Sequence, residues 1–173
     1  MNFDVELADR LAIQSVLSSY CRGIDRLDGA KIADAYWPDA IDDHGVFVGT
    51  ATDFVPFILR YMADAYSTTS HSLGQSYMEF SGDEAVAETY FASQHRLRDD
   101  DTRIEAVDGR YVDWLQRRDG IWKIFRRLVV IDFLRNYESG ASPLNDIKGL
   151  TMGRHGADDP SYSIFANLGL DRS

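Results

Sequence analysis

Three residues spread widely through this 173-residue sequence, Asp25, His71 and Arg127, carry the side-chain chemistry of a proton-transfer site. Histidine ordinarily titrates near neutrality, so a carboxylate that fixes its tautomer makes it a general base. Arginine supplies a permanent positive charge for a departing anion or an enolate. Each residue also has a plainer reading. His71 alone reads as a satisfied strand histidine. Asp25 falls in Asp25-Arg26-Leu27-Asp28-Gly29, which reads as a turn linking two helices and makes it a cap or surface acid. Arg127 alternates with Ile121, Phe125, Val129, Ile131 and Phe133, and an unpaired charge in that row is prohibitive. It must find a carboxylate, a ligand oxygen or a leaving group. The other parity holds Trp122, Ile124, Leu128 and Val130 with Arg126 and Asp132, so both faces of that strand are expected to be covered. A structural Arg–Asp pair therefore competes with a catalytic arginine.

Further candidates follow from parity and periodicity. His95 alternates with Ala87, Thr89, Phe91 and Ser93, on a face that lines a pocket or meets a subunit. His44 can donate to a ligand oxygen or bond its neighbours Asp42 and Asp43. Tyr20, one helical turn before Ile24, reaches a pocket mouth or packs in the core. The four histidines, with His155 the last, lack short metal-ligand spacings, and no metal is expected. A single cysteine, Cys21, excludes an internal disulfide, a Cys-rich zinc site and a CxxC redox pair. No Walker loop, GxGxxG, HExxH, GxSxG or EF-hand pattern occurs, and no cofactor is expected.

The formal net charge of −10 opposes general affinity for nucleic acid or anionic membranes. The acidic N-terminus lacks the build of a signal peptide, and no apolar run approaches the ~20 residues that span a bilayer. A cytoplasmic protein is expected. With 45% hydrophobic and 12% aromatic residues, the chain can bury a substantial core.

Helical spacing runs from Asp4, a possible cap, to about Arg22, with an apolar stripe of Leu7, Ala8, Leu11, Ala12, Leu17, Tyr20, Cys21 and Ile24. A short helix follows over Gly29–Tyr36, halted before Pro38, then a strand over Ala40–Val48. Thr52 or Asp53 caps a third helix, Phe54 to about Tyr66. Four extended segments come next, His71–Phe80, Glu84–Leu97, Arg103–Arg117 and Ile121–Leu134, joined by turns rich in Asp, Ser and Gly. Helices first and an antiparallel meander second predict an α+β domain: a strongly curved antiparallel sheet packed against three N-terminal helices and enclosing a pocket. The domain is assigned residues 1–135. Residues 136–173 form a tail, or an arm over the pocket or a neighbouring subunit.

The order and spacing of these residues resemble the SnoaL-like branch of the nuclear-transport-factor-2-like superfamily, with its cone-shaped, cystatin-like α+β barrel. The likeness runs over about residues 5–134. Leu7-Ala8-Asp9-Arg10-Leu11-Ala12-Ile13-Gln14, Gly23-Ile24-Asp25, His71 with Met78-Glu79-Phe80, and Arg117–Lys123 are similar to the hexachlorocyclohexane dehydrochlorinases. Asp25-Arg26-Leu27-Asp28, His71 and His95 are similar to scytalone dehydratases. Bile-acid dehydratases of this group also use an Asp and a His. The resemblance implies that Asp25 orients His71, that His71 removes a proton, and that Arg127 assists the leaving group. It also implies substrate-binding roles for His44, His95 and Tyr111. Ile24 departs from the dehydratase pattern, which has a tyrosine there.

The function implied is a cofactor-independent lyase or isomerase for a small, mostly apolar cyclic molecule, of dehydratase or dehydrohalogenase type. A hydrolase with His-activated water and a non-catalytic ligand-binding or oligomerisation module are the alternatives. A homodimer or homotrimer is expected, because the outer face of so apolar a sheet calls for a partner.

Overall fold

The computed structural model describes residues 3–138 and 149–166. The chain runs α1 (Phe3–Arg26), α2 (Gly29–Asp34), β1 (Tyr36–Asp43), β2 (Val48–Thr50), α3 (Ala51–Ala65), β3 (Tyr66–Ser81), β4 (Glu84–Leu97), β5 (Arg103–Arg118), β6 (Ile121–Glu138) and α4 (Ser161–Ala166). The fold is α+β, as expected. Six strands form one curved sheet in the order β2-β1-β6-β5-β4-β3. Two details differ from the expectation. The sheet does not close into a barrel, and β1 pairs with β6 in parallel, Asp42 lying opposite Arg127.

Helix α1 is longer than its periodicity suggests. It continues past Gly23 and carries Asp25 in its last turn, so that residue is helical rather than part of a linking turn. The helix stops where Leu27 enters the left-handed region at φ 53° and the Asp28 N–H reaches back to the Gly23 carbonyl at 2.8 Å. This is a Schellman-type end without its usual glycine. Asp28 then caps α2 by accepting from the Lys31 N–H at 3.2 Å. The buried stripe of α1 is Ile13, Leu17, Tyr20, Cys21 and Ile24, whereas Leu7 and Leu11 are exposed. The N-terminal half is anchored by polar contacts instead. Asp9 accepts from the Trp122 indole at 2.8 Å and from Arg117 at 2.9 Å.

The segment read as one strand, 40–48, is a strand, a turn and a short strand. The turn closes through His44 N–H to the Phe47 carbonyl at 2.8 Å, with Gly45 at φ 74°. Thr50, rather than Thr52 or Asp53, caps α3: its hydroxyl accepts from the Asp53 N–H at 3.1 Å. Strand β3 begins directly at Tyr66.

Strand β4 alternates buried and exposed along its length, and Ala85, Ala87, Thr89, Phe91, Ser93 and His95 face inward. Strand β6 breaks its own alternation. Its pairing with β5 steps from Trp114↔Arg126 to Leu115↔Ile124, leaving Phe125 as the extra residue of a bulge. Trp122 and Ile124 therefore share the buried side with Arg127, while Ile121 and Leu128 are exposed. The expected grouping of Arg127 with Ile121 and Phe125 is corrected by that single residue. A second step, Asp108↔Phe133 to Gly109↔Ile131, falls at Gly109. A Cβ at Gly109 would lie 2.2 Å from the Val130 carbonyl oxygen and 3.1 Å from the Phe91 ring. Gly109→Ala is expected to cost about 1–3 kcal/mol, the range for forcing extra atoms into a packed interior. An unchanged urea midpoint would refute this.

Residues 149–166 pack on the C-terminal end of α1. The Gly156 N–H donates to the Arg26 carbonyl at 2.8 Å, and Arg26 lies 3.3 Å from Asp159. Arg22 donates to the Ser161 hydroxyl at 3.1 Å and lies over the Phe165 ring at 4.7 Å. The rest of the expected tail or arm, residues 139–148 and 167–173, lies outside the described residues. No helix among the described residues is long and apolar enough to cross a membrane.

Candidate active site

The end of α1 and the first half of β3 bring Asp25 and His71 together across a sequence separation of 46 residues. Asp25 Oδ1 accepts from His71 Nδ1 at 2.7 Å and from the Thr69 hydroxyl at 3.2 Å; Oδ2 accepts from the His71 backbone N–H at 2.9 Å. Three donors from one strand fix the carboxylate, and both side chains are nearly sealed, 13% and 8% exposed. The carboxylate accepts a hydrogen bond from Nδ1–H, which fixes that tautomer and leaves Nε2 as the basic nitrogen. That nitrogen makes no hydrogen bond among the described residues.

His71 lines a cavity of about 160 Å³ between the concave side of the sheet, α1, α3 and the β1–β2 turn. Its walls are largely apolar (Ile24, Ile58, Met62, Phe91, Val129 and Ile131), and Tyr20, His44, His95 and Tyr111 also line it. A cavity of roughly 150 Å³ holds a benzene-sized molecule. His95 packs edge-on against His71, ring centroids 5.3 Å apart, and its Nδ1 lies 3.3 Å from the Glu105 carbonyl oxygen. Burial, with His71 alongside, pulls the His95 pKa down to about 4, so this ring is a neutral wall group at pH 7. On its other side the Asp25–His71 pair borders a second cleft, lined also by Ser18, Cys21, Arg22, Arg26 and Leu73.

Arg127 is placed differently. It is absent from the cavity wall and lies against two residues that form it, its guanidinium 4.2 Å from the Tyr20 ring centroid and 4.1 Å from that of Tyr111. It donates through Nε and Nη2 to the two Asp113 oxygens at 2.7 and 2.8 Å, and neither side chain is exposed. Burial opposes the charge most strongly, but Asp113 together with Tyr36 and Tyr20 more than offsets it, and the Arg127 pKa stands well above its ordinary value. Nη1 is buried without a hydrogen-bond partner. The aromatic faces take that place, as guanidinium groups allow.

On β1, Asp42 is fully buried and accepts from the Tyr36 hydroxyl at 2.6 Å and from His44 Nδ1. The other His44 nitrogen, Nε2, meets the Tyr20 hydroxyl at 3.2 Å. Sequence reading weighed His44 against its neighbours but missed the reach to Tyr20, which the turn at Gly45 creates. It also missed Asp113 as the Arg127 partner. Because Asp113 and Arg127 pair on adjacent strands, correct strand registration was the signal that could have found it. Among the described residues no three of His, Cys, Asp and Glu converge in a manner that could hold a metal ion.

Solved structures with this architecture include a hexachlorocyclohexane dehydrochlorinase of type 2, 23% identical, with a TM-score of 0.69 over 80% of this chain and 96% of that one. A scytalone-dehydratase candidate from Novosphingobium aromaticivorans is 22% identical, with a TM-score of 0.71 over 87% of this chain and 100% of its own. A candidate β subunit of an aromatic-ring-hydroxylating dioxygenase from the same bacterium is 20% identical, with a TM-score of 0.62 over 76% and 94% of the two chains. No functionally curated protein matches. The sequence itself matches the profile of the SnoaL-like domain over residues 5–128, well over half its length, and the chain belongs to that family.

Proposed function

We propose that the protein is a cofactor-independent lyase or isomerase in which the Asp25–His71 pair serves as base toward a small, mostly apolar cyclic molecule. The observation that carries this reading is the arrangement of His71: one nitrogen pinned by a triply bonded carboxylate, the other unengaged on a largely apolar cavity. Asp25 stabilises the imidazolium that forms when Nε2 takes a proton from carbon, and water-poor walls strengthen that interaction. The Arg127 charge acts through Tyr20 and Tyr111, favouring negative charge that develops on the substrate. Hexachlorocyclohexane dehydrochlorinase and scytalone dehydratase are names of lyases, which agrees with this type of chemistry. The same base directed at water would give a hydrolase. The test is a spectrophotometric elimination screen with cyclic β-hydroxy ketones, hydroxylated steroids, aromatic-polyketide precursors and halogenated cyclohexanes. Turnover by wild type that His71→Ala lacks supports the reading. Several compounds raising the melting temperature without turnover would favour a binding module.

A second reading has its own observation. The outer side of the sheet exposes Val86, Tyr90, Trp114 and Leu128, and a groove of about 360 Å³ runs between Val86, Val112, Trp114 and Leu128. We propose that this face is buried in a homodimer or homotrimer. The likeness to a dioxygenase β-subunit candidate extends the same idea to an assembly module. Light scattering at micromolar concentration is expected to return a multimer, and Leu128→Asp to shift it toward monomer. A monomeric wild type would refute the proposal.

A further inference from the structure

The last four carbonyls of a helix have no partner within it, and in α1 they belong to Gly23, Ile24, Asp25 and Arg26. The Asp28 and Leu27 N–H groups serve the first two, at 2.8 and 3.2 Å. Arg26 Nη1 donates to the Asp25 carbonyl at 3.0 Å, and the Gly156 N–H donates to that of Arg26 at 2.8 Å. Half of the cap on the turn that carries Asp25 therefore comes from one arginine side chain and a residue near the far end of the chain.

The segment that supplies Gly156 grips this turn at several points. Arg26 Nε, buried without a hydrogen bond, lies 3.3 Å from Asp159, whose charge compensates it. Arg22 donates to the Ser161 hydroxyl at 3.1 Å, and the Tyr162 hydroxyl donates to Asp28 at 3.2 Å. Arg22, Arg26 and Asp28 all lie within one turn of Asp25. We propose that residues 154–162 form a strap that positions the base: Asp159 holds Arg26, and through it the last turn of α1, so that the Asp25 carboxylate stays on His71. The inference rests on the base reading of Asp25 and His71 and gives their site a support outside the cavity wall.

The turn needs such support. It ends at Leu27, whose left-handed backbone is strained in a residue with a side chain. The three donors from β3 fix the carboxylate only while the helix holds Asp25 at their level. Asp159 is itself firmly set. It is buried, and it accepts from the Arg154 N–H at 2.9 Å, the Ser161 N–H at 3.0 Å and the Ser161 hydroxyl. Against the cost of burial, these donors and Arg26 bring its pKa down to about 2, so it is a carboxylate at neutral pH. Gly156 stands at φ 75°, a conformation open to glycine, as its N–H turns back onto α1. Asp159 and Arg26 are positioning residues here; Asp25 and His71 remain the groups that handle the proton.

The test reads the Asp25–His71 hydrogen bond itself, by proton NMR of the full chain with isotope-labelled histidine. An imidazole N–H held by a carboxylate and sealed from water resonates far downfield. His71 and His44 should each give such a resonance, and His71→Ala identifies the first by its loss. Asp159→Ala and Arg26→Met are expected to abolish the His71 resonance through exchange with water. The His44 resonance, held by Asp42 on β1, should stay in place and serve as the control. For a substrate found in the elimination screen, kcat should fall about 10- to 100-fold, the cost of displacing a catalytic group by up to about 1 Å. KM should change little, since the strap is absent from the cavity wall. If Asp159→Ala does not fold, Arg26→Met carries the test alone. No His71 resonance in wild type, one undiminished in either variant, or an undiminished kcat beside a crippled His71→Ala would overturn the proposal. Failure of the base reading looks different: the resonance is lost as expected, but His71→Ala and both strap variants turn substrate over as fast as wild type.

Discussion

His71→Ala is expected to lower turnover of any substrate the elimination screen identifies by about 10²–10⁴-fold, the usual contribution of a positioned base, while the protein stays folded. Stability is retained because the bond from the His71 backbone N–H to Asp25 survives the change, as does the Thr69 bond. Asp25 is left with two of its three donors, and the 8%-exposed ring vacates space on a cavity that already exists. His95 stays uncharged through the neutral range, since burial holds its pKa down at about 4 and it changes charge only in strong acid. Between the ordinary histidine range and that value the unfolded chain binds a proton that native His95 refuses, so this residue removes stability as the pH falls. Full turnover in His71→Ala, or loss of its fold, would refute the assignment; kcat/KM profiles beside thermal melts decide it.

Asp113→Ala is expected to destabilise the protein by about 3–5 kcal/mol, because it strands the Arg127 guanidinium in the core without its countercharge. Domains of this kind are stable by roughly 5–15 kcal/mol in all, so one substitution removes a large share. Arg127→Ala has a comparable effect by orphaning Asp113, so lost activity in that variant alone says little about catalysis. The double variant Asp113→Leu/Arg127→Met recovers most of the stability, since apolar residues of similar size can replace a buried ion pair. It also offers a folded protein in which the electrostatic role of Arg127 behind Tyr20 and Tyr111 can be read by itself. Urea denaturation of the four proteins checks the cycle. A loss below about 1 kcal/mol in Asp113→Ala would show that water or another group reaches Arg127.

The helices and the meander were legible because α3 and β4 obey simple periods. β4 in particular alternates from Ala85 to His95 without a fault. What escaped was decided by local exceptions or by distant pairing. The end of α1 was hidden because Leu27, instead of glycine, takes the left-handed position. Ser67-Thr68-Thr69-Ser70 has the composition of a loop, yet it pairs with β4 as strand, and Thr69 helps hold Asp25. The extra residue Phe125 exchanged the faces of β6 and with them the setting of Arg127. The pairing of Asp25 with His71 came from family resemblance; no period or spacing linked a helix end to a strand 46 residues on.

The parallel pairing of β1 with β6 also bears on how the molecule is made. β1 finds its neighbour only after more than eighty further residues have been synthesised, whereas β3 through β6 are successive hairpins that assemble locally. The meander can therefore form first, with β1 and β2 arriving late to complete the sheet. Asp42 stands opposite Arg127 in that last pairing, so the wall holding His44 is the final part of the cavity to be built. Hydrogen-exchange labelling during refolding should find the amides of β1 protected after those of β4 and β5.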